Sequence, residues 1–222
     1  MIIAIDGLAA SGKSSTAKLL AKKLDFIHFS TGKMYRALTS YIINNKLENT
    51  LPNSIINIIN QLNFIIDKVN FDNILINNTN FSDNLYTDEI NSLVSLVSSI
   101  SEVRKKMVGI QRKMAKNNNV VCEGRDIGTV VFPNADFKFF FKASLQSRSN
   151  RRYIEMKKID PLITKYKVKD LLKNRDFKDI NRVESPLIKA KESIVVITTN
   201  MTLNEQIDFI YRKIKIRKKN DK

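Results

Sequence analysis

At 222 residues the chain suits one α/β domain with a small insertion, and a hydrophobic content of 43% is enough for a core. No run of about eighteen apolar residues is present, which excludes a membrane-crossing helix, and the single cysteine, Cys122, excludes an internal disulfide framework. The 38 Lys and Arg against 22 Asp and Glu leave a formal charge of +16, a balance that suits polyanions: nucleic acid, an anionic membrane surface or nucleotide phosphates.

Residues 2–6 read as a short apolar strand. No basic segment precedes it, so no signal peptide is expected, and the cytoplasm is the expected compartment. Next come Gly7, Leu8, Ala9, Ala10, Ser11, Gly12, Lys13, Ser14 and Ser15, which fit the phosphate-binding pattern G-x-x-x-x-G-K-S. A helical pattern follows, with Leu19, Leu20 and Leu24 on one face. The residue types fit the chemistry. Gly7 and Gly12 let the backbone curl so that N–H groups point at phosphate oxygens, and the helix N-terminus adds partial positive charge. Lys13 can reach the β- and γ-phosphates, and the Ser14 hydroxyl can bind Mg²⁺. A nucleoside triphosphate is the expected ligand.

Four further short apolar segments read as strands, at 26–29, 120–122, 137–141 and 194–197, each expected to be buried on both faces. Helical patterns separate them, and this alternation predicts a doubly wound five-stranded parallel sheet. The stretch between the second and third strands is long. It holds helical patterns at 34–45, 54–62 and 88–112 and a small β-like patch at 64–67 and 74–76, with Asn and Asp at its turns. It reads as an insertion within one domain of 1–222, and the Asn cluster at 117–119 reads as a loop. The tail from Arg212 to Lys222 carries seven Lys or Arg and reads as a helix end fraying into solvent.

Three constellations bear on what happens to the triphosphate. Ser30, Thr31, Gly32, Lys33, Met34, Tyr35 and Arg36 follow the second strand and open a helix, a second anion site beside the first. The run from Glu123 through Arg125, Asp126, Gly128 and Thr129 to Pro133 follows the third strand. Ligands of open α/β sheets bind at strand carboxyl ends, so Arg125 and Asp126 should face the same crevice as the phosphate loop. Cations and carboxylates alternate from Arg175 to Arg182 near a helix end, and Arg148, Arg151 and Arg152 mark a basic helix start. Singly, each has an ordinary explanation: a surface helix residue, an internal ion pair, a solvated face. Together they supply two anion sites and several arginines, which is what phosphoryl transfer needs: positioning, and positive charge over the moving group. No N-K-x-D base-reading signature and no glutamine suited to activating water is evident, which leans towards a kinase.

On these residues the chain resembles the bacterial cytidylate kinases, P-loop nucleoside monophosphate kinases that move a phosphoryl group from ATP to CMP or dCMP. The resemblance runs from Ile2 to about Arg212. It rests on the P-loop, on Thr31-Gly32 with Tyr35-Arg36, on Gly124 to Pro133, and on Arg175-Asp176 with Asn181-Arg182. It implies that residues 7–15 hold ATP, with Mg²⁺ on Ser14 and the ATP phosphates. It implies that Thr31 sits near the acceptor phosphate, which Arg36 and Arg125 clamp and Arg182 faces. Ser95 and Arg104 would lie near the cytosine, Asp126 would accept from its amino group, and Arg175 and Asp179 would address the pentose. Lys13, Arg125, Arg182, Arg148 and Arg152 are the implied catalytic set. About 33–104 would be the acceptor-binding insertion, and about 144–165 a lid carrying Arg148, Arg151 and Arg152. The expected partners are ATP and CMP or dCMP, with no membrane or nucleic-acid partner and a monomeric state.

The chain departs from the family's pattern in places. Leu8 replaces a common Pro, Glu123 stands where many P-loop kinases have Asp, and Lys178 and Ile180 stand where arginines are common. His28, the one histidine, reads as a core or rim residue, Cys122 as an inert buried thiol, and no Cys/His cluster supports zinc. Two other functions remain open: a P-loop kinase for another small molecule, and a nucleic-acid-stimulated ATPase motivated by the charge, though no RNA-binding aromatic signature accompanies it.

Overall fold

The computed structural model describes residues 1–67 and 73–220, with side chains through 216. Strands β1 (Ile2–Gly7), β2 (Ile27–Ser30), β6 (Val120–Gly124), β7 (Phe137–Lys142) and β8 (Ile194–Ile197) form one parallel sheet in the order β2-β6-β1-β7-β8. The central strand explains itself from its sequence. Successive strand side chains face opposite ways, so Ile3 and Ile5 turn to one layer and Ala4 to the other. On the first side they meet Phe137, Phe139 and Phe141 of β7, with Ala17 and Leu20 of α1 (Lys13–Leu24) and Ile207, Ile210 and Ile214 of α8 (Leu203–Asn220). On the other side Ala4 and Cys122 leave room for Met34, Leu38 and Ile42 of α2 (Thr31–Asn44) and for Val103 and Met107 of α5 (Ser101–Ala115). Phe139 and Phe141 are fully buried, each worth roughly 1.5–3 kcal/mol.

All five strands run the same way, so Gly7, Ser30, Gly124, Lys142 and Ile197 end on one edge, and the loops that leave this edge carry the P-loop and both Arg-rich turns. The helices α6 (Leu145–Lys157) and α7 (Lys165–Asn181) pack on one another over that edge. Ile163, Val168 and Leu172 form a third small core with Ala9 of the P-loop.

The insertion departs in detail from the sequence expectation. The expected helix at 88–112 is two, α4 (Asp88–Val97) and α5, because the Ser98 and Ser99 hydroxyls bond back to the carbonyls of Ser95 and Leu96 and Ile100 turns extended. The expected 54–62 helix is shorter, α3 (Asn53–Ile58). The β patch has three antiparallel strands rather than two segments: β3 (Phe64–Ile66), β4 (Ile74–Ile76) and β5 (Thr79–Asn80). Asn77 and Asn78 make the β4–β5 turn at φ 50° and 66°, a left-handed pair that Asn tolerates. Nor is every sheet strand buried on both faces, since Ile197 on edge strand β8 is 67% exposed. The basic tail continues α8 to Asn220, and residues 221–222 lie outside the described residues.

Gly7 is set by contact as well as conformation. At φ 153° its missing Cβ would lie 2.4 Å from the Phe141 carbonyl oxygen. Gly7→Ala should therefore destabilise the fold by roughly 3 kcal/mol, read as a lower urea midpoint, and an unchanged midpoint would contradict this contact.

Candidate active site

The edge loops surround a crevice of about 790 Å³. Its floor on one side is the P-loop. Ala10 at φ 56° and Gly12 at φ 93° are left-handed, with Ser11 between them outside that region, an arrangement suited to gathering N–H groups into an anion nest. No side chain caps the start of α1 and no acidic residue sits in its first turn. The Ser11 carbonyl is engaged by side chains, accepting from Thr198 Oγ1 at 2.7 Å and Arg151 Nη1 at 3.4 Å. Lys13 is buried and its ammonium donates to the Leu8 carbonyl at 3.2 Å. Burial brings that ammonium down to about 7, and Arg125 and Arg175 push the same way against Glu123 and Asp179. Gln206 of α8 braces the loop, taking the Thr16 hydroxyl at 2.8 Å and donating to the Met201 carbonyl at 3.0 Å.

Facing Lys13 is a group of arginines. Arg36 is buried, donates to the Leu85 carbonyl at 2.7 Å, and lies over the Tyr86 ring at 4.5 Å. Burial lowers it to about 9, and Arg175, Arg152 and Arg125 add to this against Tyr86. Burial likewise brings Arg175 down to about 10, and its Nε has no hydrogen-bond partner among the described residues. Arg125 is neutralised by Asp179 at 2.7 Å. Burial alone would raise the Asp179 carboxyl, but Arg125 and Arg175 hold it below its ordinary value. Arg152 also lies over the Tyr86 ring, 5.9 Å from its centre. Lys13, Arg36, Arg125, Arg152 and Arg175 all line this crevice, where their like charges repel.

Beyond them lies a second polar cluster. Asp126 is buried, pairs through Oδ2 with Arg104 Nη2, and faces Arg182 Nη2 at 3.8 Å from Oδ1. Arg104 also donates to the Ser98 carbonyl at 3.0 Å and to Ser185 Oγ at 2.9 Å, and Arg182 Nε donates to the Ser185 carbonyl at 2.7 Å. Ser95 and Thr31 line the same wall. The Thr31 hydroxyl donates to the Glu123 carbonyl at 3.0 Å, pinning α2 to β6.

The expected residues thus meet, with three qualifications. Gly7 and Leu8 form the base of the loop and do not line the crevice. Arg182 sits with Arg104 and Asp126, whereas Arg175 stands among the cations facing Lys13. Arg148, implied as catalytic, does not line the crevice; it lies buried behind the P-loop, bound to Asp176 at 2.5 Å. Sequence reasoning missed Tyr86, Ser185, Gln206 and Asp6. Asp6 is buried at the end of β1 and accepts from the backbone N–H groups of Ile127 and Gly128, both at 2.7 Å, so it ties the Asp126 turn to the P-loop strand. Burial raises its carboxyl to about 7 against those two N–H groups. An Asp just before a glycine-rich loop gave no cue to this; the others needed the tertiary path.

For a magnesium ion the crevice offers oxygen donors: the exposed Ser14 hydroxyl and the Glu123 carboxylate, both on its wall. Burial alone would raise Glu123, but Lys13, the Ser30 hydroxyl at 2.5 Å, His28 and Arg125 keep it ionised. Among the described residues no group of three His, Cys, Asp or Glu could hold a metal. The donor set therefore fits an ion that arrives sharing ligands with phosphate oxygens and water.

The family model described as cytidylate kinase matches residues 3–216. The cytidylate kinase of Fusobacterium nucleatum is 43% identical over 214 residues, covering 96% of this chain and 97% of that protein. That of Clostridium tetani is 40% identical, covering 96% and 93%. A bifunctional pantoate ligase/cytidylate kinase from Prochlorococcus marinus is 43% identical over 94% of this chain, and the chain spans 42% of that protein's length. A crystal structure of an uncharacterized protein from Eubacterium ventriosum shares the fold, with a TM-score of 0.55 at 12% identity and coverage of 97% and 98%.

A depressed Lys13 sets a proton linkage. At pH 8 a group near 7 is mostly neutral, and a polyphosphate beside it restores the charge, so binding takes up a proton. Calorimetric titration with ATP at pH 8, in buffers of different ionisation enthalpy, should show uptake approaching about one proton per site. Identical heats in every buffer would contradict this.

Proposed function

Because the chain belongs to the cytidylate kinase family, we propose that it transfers the γ-phosphoryl group of ATP to CMP and dCMP, giving CDP or dCDP and ADP. The observation that carries the reading is that a buried, ion-paired Asp126 lines the same crevice as Lys13 and the arginines Arg36, Arg125, Arg152 and Arg175.

The chemistry follows from that grouping. Residues 7–15 hold the ATP phosphates, with Ala9 to Ser15 on the crevice wall. Lys13 offsets charge on the β- and γ-phosphates. Arg36 and Arg125 hold the acceptor phosphate at the start of α2, beside Thr31. Its oxygen attacks the γ-phosphorus, the bond to the β–γ bridging oxygen breaks, and ADP departs. Lys13, Arg125, Arg152 and Arg175 stabilise the charge that spreads over the transferring group, and Arg182 supports the acceptor while facing Asp126. Bound Mg²⁺, held by Ser14 and the phosphates with Glu123 behind it, would neutralise phosphate charge. Asp179 and Arg175 adjoin the pentose.

Base choice falls to Asp126, with Arg104 and Ser95 beside it. Its carboxylate accepts from the cytosine amino group, and against uracil it would face a carbonyl oxygen and leave a buried acceptor unpaired. The segment 33–104 acts as the acceptor-binding insertion, and 144–165 as a lid that closes over ATP through Arg151 and Arg152. Every one of these side chains comes from one chain, so a monomer suffices, and the cytoplasm, where both nucleotides are made, is its compartment.

A coupled ADP-release assay across CMP, dCMP, UMP, AMP and shikimate tests this reading. CMP and dCMP should be turned over well and UMP weakly; equal turnover of UMP, or activity with shikimate alone, would overturn it. Asp126→Ala should cut kcat/KM for CMP by roughly 10- to 100-fold and erase the preference over UMP. Retained preference would remove Asp126 from base reading.

A further inference from the structure

One buried ion pair lies outside the crevice yet grips the donor loop from behind. Arg148 is 5% exposed on α6, and Asp176 is 8% exposed on α7. Arg148 Nη1 donates to Asp176 Oδ2 at 2.5 Å and to the Ala9 carbonyl at 3.2 Å, while its Nε donates to the Ala143 carbonyl at 3.1 Å. Asp176 Oδ1 accepts from the Ala9 N–H at 3.4 Å. Both polar backbone groups of one P-loop residue are thus held by two side chains that are already bound to each other. Ile163, Val168 and Leu172 close around the same Ala9.

The position of Ala9 explains what the grip does. It directly precedes Ala10, the left-handed residue at which the loop reverses. Turning the Ala9 carbonyl outward fixes the peptide plane that leads into this reversal, and with it the direction of the N–H groups that follow. A fork-shaped guanidinium suits the task because it holds a carboxylate and two carbonyls from different elements at once. We propose that Arg148 and Asp176 form a clamp that sets the P-loop for ATP from behind, and so join the α6–α7 pair to the donor site. They are positioning residues, since neither reaches the nucleotide. The inference rests on reading the P-loop as the ATP site.

Asp176→Asn keeps the shape and removes the ion pair, and Arg148→Met keeps length and removes every donor. Each should raise KM for ATP roughly tenfold or more while KM for CMP changes less than twofold. The double variant should be little worse than either single one, because the two residues act as one unit. Arg148→Lys, which keeps charge but loses the fork, should fall between. Should Arg148→Met fail to fold by circular dichroism, Asp176→Asn and Arg148→Lys carry the test. A lower melting temperature with ATP and CMP constants unchanged, or both rising in step, would overturn the clamp and leave a plain structural ion pair. Additive effects in the double variant would also overturn it. Wild-type protein that failed to bind ATP would overturn the ATP reading and the clamp together, whereas normal wild-type binding with unaffected variants would overturn the clamp alone.

Discussion

Like charges crowded into a low-dielectric crevice form the constraint on which the rest of the structure depends. Burial pulls Lys13 to about 7, Arg36 to about 9 and Arg175 to about 10, and each is disfavoured further by the other cations. Such a cluster would push itself apart without carboxylates set among it. Helix α7 supplies one of these, Asp179, with the right phase. Arg175, Asp179 and Arg182 are spaced four and three residues apart, so they share one face and line the crevice. Asp176 is turned about 100° from Arg175, away from the crevice and towards α6 and the P-loop. One alternating run of charge therefore serves two sites on two faces.

Besides apolar packing, hydrogen bonds fasten the loops that carry these groups to one another. Asp6 on β1 holds the turn after β6, Thr31 at the start of α2 holds the end of β6, and Thr198 after β8 holds the P-loop. Each link joins the ends of different strands, as parallel strands ending on one edge permit. Buried polar links of this kind are costly when half-made and specific when complete, so they fix geometry more than they add stability. That suits a site whose groups must be held to fractions of an ångström.

The sheet was legible because its strands are short apolar runs separated by helical periodicity, and β8 matched its expected bounds residue for residue. The P-loop was legible because its glycines, lysine and hydroxyls fall at fixed offsets between a strand and a helix. The insertion was read less well. A pair of back-bonding serines splits a helix without interrupting its apolar periodicity, and a two-residue strand such as β5 has no periodicity to read. At the site, Arg125 and Asp126 could be placed because they directly follow a strand end, and Arg36 because it lies in the helix that starts at one. Asp6, Asp176 and Ser185 could not: Asp6 and Asp176 accept from the backbone N–H groups of Ile127, Gly128 and Ala9, and Ser185 from the Arg104 and Arg182 side chains, partners whose approach only the tertiary fold decides. Arg148 shows the converse error: an arginine in a basic helix start reads as a phosphate ligand, and the fold turns it inward to a carboxylate.

The partners of the arginines also rank where an entering phosphate gains most. Arg125 already has Asp179 as a counter-charge, and Arg104 has Asp126, so an anion there competes with a carboxylate. Among the described residues, Arg36 has a neutral carbonyl and an aromatic face, and Arg175 has a buried Nε without a hydrogen-bond partner. An anion beside these two relieves repulsion from their neighbours and breaks no ion pair. On the proposed reading the net electrostatic gain is therefore greatest at Arg36 and Arg175, and positive charge elsewhere on the surface contributes far less at physiological salt. Affinity for phosphate groups would then arise from the cations that, among the described residues, the fold leaves without a direct ion pair, Arg125 rather than Arg175 being the one that holds Asp179 in contact.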